Sequence, residues 1–257
     1  MCLIVFGYRV HKEFPLIVAA NRDEFYSRPT EPIHCWPGSS IIAGKDKEKG
    51  GTWMGATKSG RFAAITNVRA SRQQTAKYSR GEIVKGFLET NSPHCYLEEC
   101  NSRNEDFDGY NLICGNSQKL YYATNQDKQV KKQLQPGVYG LSNASLNTPW
   151  PKVRKARNQF TEIIESQANF LSPKLFFDLL SDTKEAKEQD LPDTGVNKNL
   201  ERKLSPMFII MENYGTRSQT VLFFKNDGKA IMEEKTYDKK GERINQKSLK
   251  WKLEISE

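Results

Sequence analysis

The order of the secondary-structure signals predicts an α+β fold with mostly antiparallel sheets covered by helices. Apolar runs typical of strands fill the first third of the chain, and two pairs of helices then alternate with further strands. Runs of strands followed by runs of helices are typical of α+β proteins. The 257 residues contain no Ser/Gly/Pro-rich linker and no internal repeat, so we expect residues 1–257 to form one domain.

The first four strands are predicted from short apolar runs and the turns between them. Residues 3–6 and 16–20 flank a polar turn, as in a buried hairpin. Residues 52–56 and 61–67 form a second predicted pair, because Gly60 between them can supply the positive φ of a tight turn. Between the two pairs, the stretch from residue 25 to 38 carries three prolines, and we predict a loop over a site there.

Four helices are predicted from capping signals and apolar residues at helical spacing. The first begins at Ser79, where the sequence matches a capping box. The second begins at Pro93 and the fourth at Pro173, because proline is tolerated in a first turn. The third follows Pro151, where apolar residues recur at helical spacing.

The remaining strands lie between and after the helices. They are predicted at residues 110–114, 120–124, 138–142, 208–211, 220–225 and 229–234. A polar excursion near 184–199 precedes the last three, and a basic tail covers 235–252. Neither segment is predicted to form a strand.

Composition limits the classes of partner. The net charge is +8, but lysines and arginines are interspersed with acids and no zinc-finger, RRM or helix-turn-helix signature is present. We therefore expect a solvated basic surface and no nucleic-acid partner. No segment approaches the roughly 20 apolar residues of a membrane helix, so no integral membrane segment is expected.

The cysteines and histidines point to a reducing compartment without a metal site. Five cysteines, an odd number without a CxxC pair, argue against a disulfide framework or a structural zinc site. The three histidines show no metal-ligand spacing. We therefore expect a cytoplasmic protein with no bound metal. The oligomeric state is left open.

Cys2 is the first candidate for chemistry. Removal of an initiator methionine before a small residue would leave a thiol and a free α-amine on Cys2. Because an α-amine has an unperturbed pKa of about 7.7 to 8.0, much of it is neutral near pH 7 and can accept the thiol proton. The alternative is structural, since Cys2 also opens an apolar run and could be a small buried residue at the start of a strand.

The second candidate is the polar cluster 21–24, which ends the second predicted strand. If the first two strands pair as an antiparallel hairpin, Arg22 and Asp23 lie next to Cys2. An arginine there would favour the thiolate, and a carboxylate would orient the amine. The alternative is a surface ion cluster at the end of a strand.

Several blocks in the right order, spanning Cys2 to about Lys225, resemble the NRDE family of transport and Golgi organisation 2-like proteins. The blocks are residues 20–26, 28–29, 50–53, 66–67, 140–143, 149–152 and 214–218. That family in turn is similar to N-terminal nucleophile hydrolases of the choloylglycine hydrolase and penicillin V acylase type. The resemblance implies a four-layer αββα sandwich, with two mostly antiparallel sheets between helix layers.

The resemblance also implies roles for individual residues. Cys2 would be the nucleophile and Asp23 would hold its amine, while Asn67 and Asn143 would stabilise a tetrahedral oxyanion. Arg217 would match a later arginine of those hydrolases. The remaining expected contacts to substrate come from Asn21, Arg22, Trp53 and Trp150. Arg22 departs from the pattern, because it directly precedes Asp23 and should point to the opposite face of the strand.

Two functions from different classes follow from this resemblance. The first is a cysteine amidohydrolase for a small non-peptide amide or related acyl compound, which needs no cofactor. The second is a carrier that keeps the fold but binds haem or acyl-CoA, because members of the family are associated with secretory-pathway organisation, haem trafficking and lipid or acyl-CoA metabolism. No haem attachment motif is present, so haem would be a non-covalent ligand.

Overall fold

A computed structural model describes residues 2–69, 76–90, 92–126, 131–166 and 170–254. The strands are β1 (Cys2–Tyr8), β2 (Leu16–Phe25), β3 (Thr30–Cys35), β4 (Ile41–Asp46), β5 (Met54–Thr57), β6 (Phe62–Asn67), β7 (Tyr110–Gly115), β8 (Leu120–Thr124), β9 (Lys131–Gln133), β10 (Gly137–Leu141), β11 (Tyr214–Phe224), β12 (Lys229–Tyr237) and β13 (Arg243–Lys252). The helices are α1 (Arg80–Glu89), α2 (Pro93–Ser102), α3 (Pro151–Ser166), α4 (Pro173–Leu180) and α5 (Lys198–Lys203).

The strands form two sheets that pack face to face between two helix layers. The first sheet has the order β10-β1-β2-β11-β12-β13, and the second has the order β3-β4-β5-β6-β7-β8-β9. The neighbouring strands pair in antiparallel fashion. Helices α3 and α4 cover the first sheet, and α1 covers the second. This is the αββα sandwich of the N-terminal nucleophile hydrolases, which confirms the predicted fold class.

The alternation of side chains along each strand explains why four layers form. On β2, Val18 belongs to the apolar core between the two sheets, whereas its neighbour Ile17 belongs to the core beneath α3 and α4. Both faces of β2 are therefore buried, and its continuous apolar run reflects this. A third core lies between the second sheet and α1, around Phe87. No helix in the described ranges is long and apolar enough to cross a membrane.

Three predictions about strands were wrong. The stretch 25–38, predicted to be a loop, contains β3, which tolerates Pro32 because it is an edge strand with an irregular register between Glu31 and His34. Residues 208–211, predicted to be a strand, contribute only an isolated bridge between Ile210 and Gly215. The basic tail contains β13, which pairs along β12. Strands β4 and β9 were also not predicted.

The connections behave largely as the sequence indicates. Ser79 caps α1 with a complete capping box, as predicted. Gly60 has a φ of 82°, which confirms the predicted glycine turn. The polar excursion carries a short 3-10 helix at Glu188–Asp190 and the N-terminal end of α5.

Gly51 allows a close contact between two backbones. A Cβ at this position would lie 2.6 Å from the carbonyl carbon of Gly81, at the start of α1. We therefore expect Gly51→Ala to lower the free energy of unfolding by about 1–3 kcal/mol, since backbone atoms must shift. The matched control is Gly50→Asn, because Gly50 has a φ of 72° with open space around it and asparagine tolerates this conformation. Urea unfolding measures both changes, and equal effects would refute the steric explanation.

Candidate functional site

The hairpin formed by β1 and β2 places Cys2 directly opposite Arg22. Directly opposed residues of antiparallel strands point to the same face. The alternation from Ile4 and Val18 assigns that face to the space between the two sheets. The predicted proximity of Cys2 and Arg22 therefore holds in the structure.

Asp23 lies on the other face of β2, toward the helices, but its backbone still reaches Cys2. The backbone N–H of Asp23 donates a hydrogen bond to the Cys2 thiol. Its carboxylate is buried, and Oδ1 accepts a hydrogen bond of 2.7 Å from the Thr216 hydroxyl. Asp23 and Arg22 thus approach Cys2 from two sides of one strand, as expected from their adjacent positions.

A β-bulge brings Thr216 to Asp23. Along β11, Ser218 pairs with Arg22 while Thr216 pairs with Asp23, so Arg217 is an extra residue in the register. Without this bulge, Thr216 would share the face of Ser218 between the sheets, because side chains alternate along a strand. The bulge therefore re-aims one hydroxyl toward the buried carboxylate. The sequence offered no signal for it.

Lys152 is a buried cation near Asp23, and the sequence analysis gave it no role. Its side chain is 4% exposed and its Nζ donates to the carbonyl of Leu204 at 3.1 Å. Burial lowers the pKa of Lys152, and the negative charge of Asp23 opposes that change. A signal existed, since Lys152 precedes Ala156 and Phe160 by four and eight residues and so lies on the buried stripe of α3.

Arg22 is held between the sheets by an aromatic ring and two acids. Its guanidinium carbon lies 4.2 Å from the centre of the Trp53 ring. Its Nη2 lies 3.7 Å from Glu24 and 3.9 Å from Asp46. Burial lowers the pKa of Arg22, while Glu24 and then Cys2 act in the opposite direction. Arg22 therefore remains a cation opposite Cys2.

Burial controls the protonation of the two central groups. It raises the pKa of the Cys2 thiol, although Arg22 and the Asp23 backbone N–H act in the opposite direction. It also raises the pKa of Asp23, against the effects of Lys152 and Thr216. A thiol with a raised pKa is protonated at neutral pH, so a nearby base must remove its proton before it can attack.

The two asparagines lie at the same end of the sandwich. Continuing the β1–β10 register by two residues from the Ile4–Leu141 pair places Asn143 opposite Cys2. Asn143 donates from Nδ2 to the Asn67 carbonyl at 2.8 Å. An amide NH₂ has two hydrogens, so one remains for another acceptor. Asn67 itself ends β6 with an exposed side chain.

Asn143 does not line the cavity around Cys2, and neither do three other candidates, Asn21, Trp150 and Arg217. Asn21 is buried toward α4, where its Nδ2 donates to the carbonyls of Leu180 and Met207 at 2.9 and 2.7 Å. Trp150 packs in the core beneath α3 and its ring centre is 5.4 Å from the guanidinium of Arg69. Their local contacts support the packing of the helix layer.

Arg217 supports the connection between β2 and β3. Its Nη1 donates to the carbonyls of Phe25, Tyr26 and Arg28 at 2.8, 3.1 and 3.1 Å. It does not line the cavity around Cys2. The three carbonyl contacts show how the chain leaving β2 is held next to the site.

The Cys2 cavity is a cleft of about 400 Å³. It is defined here by Cys2, Arg22, Asp23, Trp53, Asn67 and Arg80. The volume lies within the roughly 300–1,000 Å³ of small-molecule sites. Further basic side chains, Lys49 and Lys77, also line it, together with several acids. The arrangement can hold a small polar or anionic molecule against a thiol.

Two antiparallel sheets between two helix layers give the chain the αββα architecture. The family model for Transport and Golgi organisation 2 matches residues 1–239. The chain belongs to this family, which confirms the resemblance found in the sequence.

The curated relatives cover nearly the whole chain. The Transport and Golgi organization protein 2 homolog of Homo sapiens is 33% identical, over 92% of this chain and 93% of the human protein. The Transport and Golgi organization protein 2 of Drosophila melanogaster is 24% identical, over 92% of each chain.

Solved structures share the fold at low identity. A variant of the conjugated bile acid hydrolase from Clostridium perfringens gives a TM-score of 0.55 at 11% identity, covering 99% of this chain and 98% of that one. The Caenorhabditis elegans ortholog of N-acylethanolamine-hydrolyzing acid amidase gives 0.50 at 10% identity, covering 86% and 92%. These similarities establish a common architecture.

Proposed function

We propose that this chain is a cysteine N-terminal nucleophile amidohydrolase for a small non-peptide amide or related acyl compound. One observation carries the proposal: Cys2, directly opposite Arg22 on the neighbouring strand, lines a cavity of about 400 Å³ together with Arg22 and Asp23. A buried thiol with these two neighbours fits a nucleophile better than a structural cysteine.

The proposed reaction begins after removal of Met1, which lies outside the described residues. The α-amine of Cys2 takes the thiol proton, and Sγ attacks the substrate carbonyl carbon. The C–N bond then breaks, the leaving amine takes the proton from the ammonium, and an acyl thioester stays on Cys2. Water attacks the thioester with the amine again as base, which releases the acid and restores the thiol.

Neighbouring residues have distinct roles in this proposal. Asp23 holds the ammonium, and Lys152 and Thr216 favour the charged form of the Asp23 carboxylate. The remaining Nδ2 hydrogen of Asn143, which contacts the cavity-lining Asn67, donates to the oxyanion. The names of two fold neighbours, hydrolases of conjugated bile acids and of N-acylethanolamines, support an acyl amide as the substrate class.

The second candidate function is a carrier for haem or acyl-CoA. The basic side chains of Arg28, Lys49, Lys77 and Arg80 along the cavity favour it, because they suit haem propionates or the phosphates of coenzyme A. Trp53 would pack against the apolar part of either ligand. We also propose a reducing, cytosol-like compartment, which the five free cysteines support.

The experiment that tests the proposed function compares wild type with Cys2→Ala and Asn143→Ala. The N-terminal mass of the purified protein is determined first. Acyl amides and thioesters are then screened for hydrolysis, with thermal melts to show that each variant folds. We expect Cys2→Ala to abolish hydrolysis and Asn143→Ala to lower the rate about 10²- to 10³-fold.

Two outcomes would overturn the hydrolase. One is a native N-terminus that keeps Met1, because an amide nitrogen at Cys2 cannot act as the base. The other is an absence of turnover in the wild type while all three proteins bind haem or acyl-CoA with equal affinity. That affinity would have to persist in moderate salt and to weaken in Trp53→Ala. That result would support the carrier. Binding lost in moderate salt would instead reflect attraction to the basic surface.

A further inference from the structure

A row of polar residues crosses the first sheet from Cys2 outward. Cys2 pairs with Arg22, Arg22 with Ser218, Ser218 with Thr236, and Thr236 with Asn245. Opposed residues share a face, so the whole row points into the space between the sheets. Because strands lie about 4.8 Å apart, Thr236 is about 14 Å from Cys2. The Cys2 cavity therefore continues as a polar track along the sheet.

Beyond Arg22 the track reaches a second cavity of about 230 Å³. This side chamber is defined by Arg22, Trp53, Arg217, Ser218, Glu234 and Thr236. It shares Arg22 and Trp53 with the Cys2 cavity. The stacked side chains of these two residues therefore separate the two cavities. Its volume is below the usual range for drug-sized ligands, which limits its occupant to a small group.

The side chamber contains hydrogen-bonding groups that the described residues do not satisfy. Arg22 Nη1 and Thr236 Oγ1 are buried without a hydrogen-bond partner among these residues. Arg22 is only 6% exposed. An unpartnered guanidinium N–H in the interior is costly, so native proteins pair such groups with water or a ligand.

The charges in the side chamber favour an anion. Two guanidiniums, of Arg22 and Arg217, line it. The two carboxylates that line it, of Glu31 and Glu234, contribute little net negative charge. Glu31 lies 3.6 Å from Lys47, and burial raises the pKa of Glu234 to about 7. A planar group with two oxygens matches the fork of a guanidinium.

We propose that the side chamber binds a small carboxylate through Arg22 and the Thr236 hydroxyl. The carboxylate accepts from Arg22 Nη1 and from Thr236 Oγ1, and the positive charge of Arg217 adds to its stabilisation. Binding uses hydrogen-bond donors of the side chamber itself and does not depend on hydrolysis at Cys2. It extends the ligand-binding surface beyond the Cys2 cavity.

Proton uptake at Glu234 should accompany binding. A carboxylate in the side chamber repels an ionised Glu234 and favours its neutral form. Two cations face Glu234: Arg22 on β2 and the exposed Lys247, which lies opposite Glu234 on β13. Ser218 and Thr220 on β11 also face it. The Ile33 N–H donates to Glu234 Oε1 at 3.0 Å. Affinity should therefore fall as the pH rises through about 7.

The test is an NMR titration of the full chain with propionate, using propionamide as the neutral probe of the same shape. We expect saturable binding of propionate at pH 6, about tenfold weaker binding at pH 8.5, and none of propionamide. Thr236→Val should weaken propionate binding about tenfold, because it removes a hydrogen bond to a charged group. Glu234→Gln should bind equally at both pH values. The matched control is Thr161→Val on α3.

Each other outcome contradicts the proposal. Absence of propionate binding at pH 6 would mean that water alone fills the side chamber. Equal binding of propionamide would exclude recognition of the carboxylate charge. Unchanged affinity in Thr236→Val would place the probe elsewhere. Because the readout is binding rather than turnover, failure here leaves the hydrolase test unaffected, and failure of hydrolysis leaves this result unaffected.

Discussion

Lys152→Met is expected to lower the free energy of unfolding by about 3–5 kcal/mol. Lys152 and Asp23 are both almost fully buried, at 4% and 3% exposure, and each charge stabilises the other. Removing the lysine takes away one of the charges that favour the Asp23 carboxylate, and methionine cannot donate to the Leu204 carbonyl. Urea unfolding at pH 7.5 measures the loss.

Two further variants separate the buried pair from lysine replacement in general. Asp23→Asn/Lys152→Met should recover most of the lost stability, because neither partner then leaves an isolated charge. Lys155→Met is the matched control on the same helix, since its exposed ion pair with Asp182 at 2.6 Å should contribute less than about 1 kcal/mol. An equal loss in Lys152→Met and Lys155→Met would contradict a stabilising charge interaction between Lys152 and Asp23.

Glu234→Gln should remove a pH-dependent loss of stability of about 3 kcal/mol. Burial raises the pKa of Glu234 from 4.5 to about 7. Below pH 4.5 the carboxyl is protonated in both states, and its contribution to stability is complete. As the pH rises to about 7, the unfolded chain releases the proton while the folded protein keeps it, so the wild type becomes less stable.

The measurement is urea unfolding of wild type and Glu234→Gln at pH 4.5, 6 and 8. The difference between the two proteins should move in favour of the variant as the pH rises, and it should level off above pH 7. Any constant effect of the amide on its contacts with Ile33 and Thr220 cancels in this comparison. A difference that does not change with pH would mean that Glu234 titrates normally.

The sequence predicts the layers well and the edges of the sheets poorly. Buried strands such as β1 and β2 carry apolar runs, because both of their faces are covered. Edge strands lack this signal. β3 contains Pro32, and β13 is mostly polar and exposed, so neither resembles a buried strand. Within residues 208–211, Phe208 and Ile209 are buried like strand residues, although the segment forms only a single bridge.

In the candidate site, contacts within one hairpin could be predicted from the sequence, whereas contacts between distant parts of the chain could not. The proximity of Cys2 and Arg22 follows from one hairpin, whose register can be derived from alternating side chains. Thr216 reaches Asp23 through a bulge, and Lys152 reaches it through the packing of α3 on the first sheet. Both residues lie more than 100 positions from Asp23 along the chain, so local pattern does not show that they approach it.

The charged strand β13 has a consequence for how copies of this protein behave together. It closes the first sheet, so one side of its backbone has no neighbouring strand in the described chain. Exposed lysines, including Lys247, Lys250 and Lys252, accompany that open edge. A second copy adding its own β13 there would bring like charges together about 5 Å apart. The basic tail thereby discourages edge-to-edge aggregation during concentration and folding.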